Sequence, residues 1–203
     1  MHDEPELTAP VLLCGPDGRL NRQAVGWSRH PLHTCNLPPS LARKKKWNYW
    51  AVTSNDFLLS ATIADVDRLQ LGGAYIFDRR THRHIDKAVV RPPNTIAIPE
   101  TIGGDMVIEH PAMRVALTDE GAGTRIRVAA SDFGGMRLEA DILIERPAGH
   151  ETLNVVIRSW ATNGSSSRRR RSVAWTTAAA SGRSTPSGTG APHRACRAGV
   201  PSA

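Results

Sequence analysis

Met136-Arg137-Leu138-Glu139-Ala140-Asp141-Ile142-Leu143-Ile144-Glu145 is the stretch that decides the fold. Met136, Leu138, Ala140, Ile142 and Ile144 recur at every second position. Arg137, Glu139, Asp141 and Glu145 fill the alternate positions, with Leu143 the one exception. A period of two puts one face of a strand on a core and the other in water, the mark of an antiparallel sheet. Just upstream, Met113 to Leu117 and Thr124 to Ala129 flank Thr118-Asp119-Glu120-Gly121-Ala122-Gly123. The two glycines supply positive φ at little steric cost, so this segment reads as a hairpin. Arg125 and Arg127 alternate there with Thr124, Ile126 and Val128. Downstream, Leu153, Val155 and Ile157 begin another strand.

The same texture extends back to Trp47. Asn48 to Asp65 mixes β-branched, aromatic and small residues without helix caps. Gly72-Gly73 precedes Ala74-Tyr75-Ile76-Phe77, and Asp78-Arg79-Arg80-Thr81 makes a polar turn. Thr95 to Pro99 and Asp105 to Glu109 are further short apolar runs. No stretch sustains a helical period. The expectation is an all-β antiparallel meander that forms a barrel, half-barrel or sandwich.

The pattern changes after Ile157. Residues 158–203 contain no Asp, Glu, Lys, Gln, Leu, Ile, Met, Phe or Tyr. Three segments follow: a Pro- and Gly-punctuated lead-in over 1–24, a β-rich domain over 25–157, and a tail over 158–203 expected to be disordered. The tail reads either as a natural disordered extension or as a GC-rich gene translated out of register, and the second reading is preferred. One permissible codon choice for Ser159 to Arg169, shifted by two bases, encodes a strand-like sequence. On that reading the sheet is cut short, and impaired function and poor solubility are expected.

Charge follows the same division. The net charge of +7 comes from 26 basic and 19 acidic residues, and the tail holds eight of the arginines and no acid. Without it the balance is 18 to 19, a net charge of −1. The inference from high pI to nucleic acid therefore rests on Arg168 to Arg171 alone, and no specific nucleic-acid partner is expected. No apolar run is long enough to span a bilayer. The start, Met1-His2-Asp3-Glu4-Pro5-Glu6, lacks the basic and apolar regions of a secretory signal. Cys14, Cys35 and Cys196 show no paired spacing. The simplest reading is a reduced, cytoplasmic protein of unknown oligomeric state.

Two Trp-rich blocks carry a family resemblance: Gly26-Trp27-Ser28-Arg29-His30-Pro31-Leu32-His33-Thr34-Cys35-Asn36-Leu37-Pro38 and Arg43-Lys44-Lys45-Lys46-Trp47-Asn48-Tyr49-Trp50. With Ser60 to Asp67 and Leu71-Gly72-Gly73, they resemble a bacterial family known only as domain of unknown function 2804. The resemblance covers about Leu12 to Ile157. It implies longer relatives that continue past Ile157 with aromatic strands and a later Trp- and Gly-rich segment. It also implies a lipocalin-like (calycin-like) architecture, similar to that of carotenoid hydratases, but carries no assigned activity, and fold does not fix function.

His30, His33 and Cys35 are metal-ligand types within six residues, and Asn36 can orient one of them. Zinc sites need three or four ligands from anchored pairs, and no second pair follows, so no metal and no cofactor are expected. A His–Cys nucleophilic pair normally meets across a fold. The simpler reading has both histidines bonding backbone in an irregular loop and Cys35 packing as a small apolar residue. The basic run Arg43 to Lys46 followed by Trp47, Tyr49 and Trp50 can hold an anionic head group above an apolar pocket, with a cation over an indole face. The simpler reading there is solvated lysines beside aromatics that plug a barrel. In a strand Trp47 and Tyr49 share one face, and Asn48 and Trp50 the other.

Asp65 and Asp67, two apart, are candidates for acid–base work, although a solvated strand end explains them as well. His82 and His84 sit among Arg79, Arg80 and Arg83, which suits an exposed hairpin and not a cation site. Gly103-Gly104 and Gly134-Gly135 read as turn glycines, not a phosphate loop.

The preferred reading is a binding module for an apolar or amphipathic small molecule. Its expected ligand-binding residues are Trp27, Arg29, His30, His33, Lys46, Trp47, Tyr49 and Trp50. One alternative is a hydratase or isomerase using His30 or His33 with Asp65 or Asp67. Another is a structural or partner-binding β-protein with no small ligand.

Overall fold

The computed structural model describes residues 4–38, 45–66, 68–161 and 170–178. Thirteen strands run in chain order: β1 Val11–Leu12, β2 Gly26–Ser28, β3 His33–Thr34, β4 Lys46–Thr53, β5 Phe57–Asp65, β6 Gln70–Asp78 and β7 Arg83–Arg91. They continue as β8 Met106–His110, β9 Met113–Asp119, β10 Gly123–Ala130, β11 Leu138–Glu145, β12 Leu153–Ala161 and β13 Arg170–Ala178. The helical content among the described residues is a single 3-10 turn, Arg22–Ala24. The chain divides into two compact units. Among the described residues, one comprises 4–38, 100–102, 149–161 and 170–178, and the other 45–66, 68–99 and 103–148.

The second unit holds two antiparallel four-stranded sheets, ordered β4-β5-β6-β7 and β11-β10-β9-β8. Each is a run of consecutive hairpins, as the alternating sequence pattern requires. The β6–β7 turn is fixed by Asp78, whose Oδ1 accepts from the Arg80 and Thr81 backbone N–H groups at 2.8 and 3.0 Å. Those bonds, Thr81's first, hold the Asp78 carboxyl below the usual carboxylate range. The β9–β10 turn is clamped by Arg146, which donates to Asp119 and to the Gly121 and Gly123 carbonyls.

The sheets pack face to face on Leu59, Ile63, Ile108, Val115, Leu117, Ile126 and Val128, each at most 1% exposed. The 72 position sets how closely they approach. A Cβ on Gly72 would lie 3.1 Å from Ile108 Cγ2, so any side chain there would press on Ile108. Gly72-Gly73 thus lies inside β6 and not ahead of it. The described sheets do not close into a barrel, because no ladder joins β7 to β8 and the connection over 92–105 leaves both as edges. Thr95–Pro99, expected as an apolar run, is not a strand. Its backbone is tied instead to side chains: Gln70 exchanges two hydrogen bonds with Ile96 (2.7 and 2.8 Å), and Lys46 Nζ donates to the Ile98 carbonyl at 2.8 Å.

The first unit contains the short parallel pair β1–β3 and the sheet β13-β12-β2. Its core is small: Leu13, Cys14, Ala24, Cys35 and Val156, flanked by Val11, Leu20, Val25 and Leu37. Over residues 153–156 of β12 the buried side chains are Asn154 and Val156, while Leu153 is exposed. The reason is Asn154, whose amide donates to the Ser28 and Thr152 carbonyls. β12 continues past Ile157 to Ala161 and pairs along its length with β13, so the boundary expected at 158 falls within a strand. Residues 162–169 and 179–203 of the expected tail lie outside the described residues.

Candidate functional site

The sequence candidates fall into the two units, and the local structure of each group is distinct. In the first unit, Gly26 allows β2 to be gripped from both sides. With φ +152°, it leaves no room for a side chain against the Pro5 carbonyl. Leu7 N–H then donates to the Trp27 carbonyl at 2.7 Å, Trp27 N–H donates to Pro5 at 3.0 Å, and β12 pairs on the other side. Arg29 is exposed but committed. Its guanidinium donates to Glu6 Oε1 at 3.0 Å and Glu151 Oε2 at 3.1 Å, and lies 5.3 Å from the centre of the Trp27 ring. The Glu151 hydrogen bond, first, and the Glu6 contacts raise its pKa further.

His33 is 2% exposed, and its Nε2 lies 2.9 Å from the Ala24 carbonyl oxygen. A carbonyl only accepts, so Nε2 carries the hydrogen of this bond. Nδ1 has no partner among the described residues. His30 is exposed, and its carbonyl accepts from Ser28 Oγ and Leu32 N–H. Cys35 and Cys14 are buried and in no disulfide, and burial, with Asp17 adding to it, pushes the Cys14 thiol up. The Asn36 side chain acts as an extra strand pair: it accepts from Cys14 N–H at 2.8 Å and donates to the Cys14 carbonyl at 2.9 Å. Among the described residues no three His, Cys, Asp or Glu side chains converge as a metal site.

The remaining candidates lie in the second unit. Trp50 is 4% exposed and points into the sheet-on-sheet core, while Lys46 reaches the Ile98 carbonyl. Asp65 pairs in register with Lys46 at the strand end. Asp67, Arg43 and Lys44 lie outside the described residues. With His30 and His33 in one unit and Asp65 in the other, the expected acid–base pair has no described geometry.

Trp47 and Tyr49 are placed differently. The ladder registers align the water-facing side of the β4–β7 sheet in rows. Trp47, Ala64, Leu71 and Val90 form the first. Tyr49, Thr62, Gly73 and Ala88 form the second, and Ala51, Ser60, Tyr75 and Asp86 the third. Aromatic side chains of β4 and β6 thus flank a strip of small residues on β5. Trp47, Tyr49 and Val90, three of the six large hydrophobic residues exposed among the described residues, share this face at 50%, 51% and 55%. Ser60 and Ala64 are nevertheless only 5% exposed, so they form the bottom of a groove. Above Gly73 a Cβ would meet nothing closer than 3.9 Å. His84 stacks on Tyr75, ring centroids 5.6 Å apart, at one end. Alternation on β4 was legible in the sequence. The depression it borders depends on the register of β5 and β6, which the sequence does not display.

The other sheet carries a pocket of about 280 Å³ by the β8–β9 turn. Its Arg114 and Arg137 are already paired with Glu109 and Glu139, and it contains none of the sequence candidates.

No helix among the described residues is long and apolar enough to cross a membrane. No curated protein and no solved structure matches the chain. A family model does match over residues 4–182, which takes in both Trp-rich blocks and the strands from β1 to β13. The chain therefore belongs to the family described as Domain of unknown function (DUF2804).

Proposed function

We propose that this protein is a binding module whose site is the groove on the water-facing side of the β4–β7 sheet, and that its ligand is an apolar or amphipathic small molecule. The observation that carries this reading is the half-exposure of Trp47 and Tyr49 on one edge strand and of Val90 on the other, across a floor of Thr62, Ala64 and Gly73. Apolar surface of this kind is costly to leave in water and marks interaction sites. Of the four expected ligand-binding residues in this unit, Trp47 and Tyr49 face the groove, while Trp50 is buried in the core and Lys46 holds a backbone carbonyl.

Nile red, an uncharged probe that brightens in apolar surroundings, tests the reading. The full chain is expected to give a saturable emission increase that Trp47→Ala and Tyr49→Ala abolish, with circular dichroism unchanged. Equal brightening by wild type and both variants would refute it.

A further inference from the structure

We infer that the ligand of this groove is of the amphipathic kind, a neutral oligosaccharide with apolar ring faces and a hydroxyl rim, an inference that rests on the groove being a binding site at all. Three features of the face point to that chemistry. The first is its openness. Apolar ligands are held in sites that bury 70–90% or more of their surface, whereas here Trp47 and Tyr49 stand half-exposed. An acyl chain lying on them would keep one side in water. A pyranose ring suits a one-sided site, because its C–H face stacks on an aromatic ring while its hydroxyl rim stays hydrated.

The second feature is charge. By register, the strand residues of this face include one carboxylate, Asp86, and no Lys or Arg. The nearest strand lysine, Lys46, faces the opposite side and is bound to the Ile98 carbonyl. Among these described strand residues none is a lysine or arginine that would complement an anionic head group or a polyanion, which favours an uncharged ligand on the face itself. The third is the placing of hydroxyl and carboxylate groups among the aromatics. Thr62 lies between Tyr49 and Gly73, and Asp86 lies next to Tyr75. Such groups accept and donate to sugar hydroxyls without requiring charge on the ligand. Trp47 and Tyr49 are successive same-face residues about 7 Å apart along the strand, two platforms that favour a chain of sugars over a single ring.

Calorimetric titration of the full chain with cellohexaose and with maltohexaose, together with Nile red competition, tests the inference. The expected result is saturable binding of at least one hexasaccharide, displacement of Nile red by it, and affinity weakened about tenfold or more by Trp47→Ala. Thr62→Val, which keeps the shape and removes the hydroxyl, is expected to weaken the sugar. Nile red binding that depends on Trp47, with no binding of either hexasaccharide, would overturn the oligosaccharide and leave the binding module standing. Failure of both probes would overturn both. Hexasaccharide binding indifferent to Trp47→Ala would place the sugar elsewhere and equally overturn the inference.

Discussion

The two sheets of the second unit share an interior and differ on their water-facing sides. On the β8–β11 sheet that side is an ion-pair lattice. Arg125 grips Asp141 with two hydrogen bonds of 2.6 and 2.9 Å, Arg127 reaches the same carboxylate at 3.4 Å, and Glu120 lies 3.4 Å from Arg125. The Arg125 hydrogen bond, first, and the charges of Arg125 and Arg127 hold the Asp141 carboxyl below its usual range, and the same contact raises Arg125. On the β4–β7 sheet the corresponding side is aromatic and small, with Trp47, Tyr49 and Val90 open to water. A sheet needs only one apolar face to be stable. The charged face is what an antiparallel sheet presents when it has nothing to bind, so the aromatic face asks for another explanation.

The comparison breaks most severely if the shared interior is opened. Leu59→Ala or Ile126→Ala, one on each sheet, should each destabilise the second unit by about 2–5 kcal/mol in denaturant titration. If one costs far less than the other, the two inner faces do not form a common core. Next in size is Gly72→Val, which drives a branched side chain toward Ile108 and Val115. It should cost about 1–3 kcal/mol, and a neutral result would show that the sheets can move apart.

The charged face is sharpened by acid. Because the folded-state pKa of Asp141 lies below its unfolded value, its contribution to stability is present above the unfolded pKa. It is lost as pH falls through the folded value. Wild type should therefore lose more stability on acidification below about pH 4 than Asp141→Asn does, a modest difference because Asp141 is half-exposed. Equal acid profiles would mean that the pairing is absent in solution. The smallest effect belongs to the aromatic face. Trp47→Ala should change the unfolding free energy by less than about 1 kcal/mol, since the indole is already half in water. A large loss there would make Trp47 a packing residue and remove the contrast.

Legibility tracked the regularity of the pattern. Leu138, Ala140, Ile142 and Ile144 alternate with charged residues, and β11 emerged with its faces as read, Leu143 on the wet side included. The hairpin across Gly121 and Gly123 was equally plain, since only a turn needs glycine there. In β5, both neighbours along the chain are apolar or small, so Phe57 to Asp65 gave a strand but not its faces. The first unit was the least legible. His33, Asn36 and Asn154 fill backbone-pairing and capping roles that secondary structure usually takes. Side chains used in that way leave no periodic trace. Arg29 illustrates the same limit: its partners Glu6 and Glu151 lie 23 and 122 residues away, beyond any local motif.

That last pairing sets an order of assembly during synthesis. The hairpins of the second unit join neighbours in sequence and can close as soon as they leave the ribosome. β2 cannot acquire its flanking strand until residue 154 has been made, and Arg29 must wait for Glu151. For most of translation the amino-terminal segment is therefore an unfinished edge in need of a partner, exposed to chaperones and proteases alike. Nascent chains halted before residue 150 should show Trp27 accessible to solvent quenchers while the Trp50 interior is already sealed.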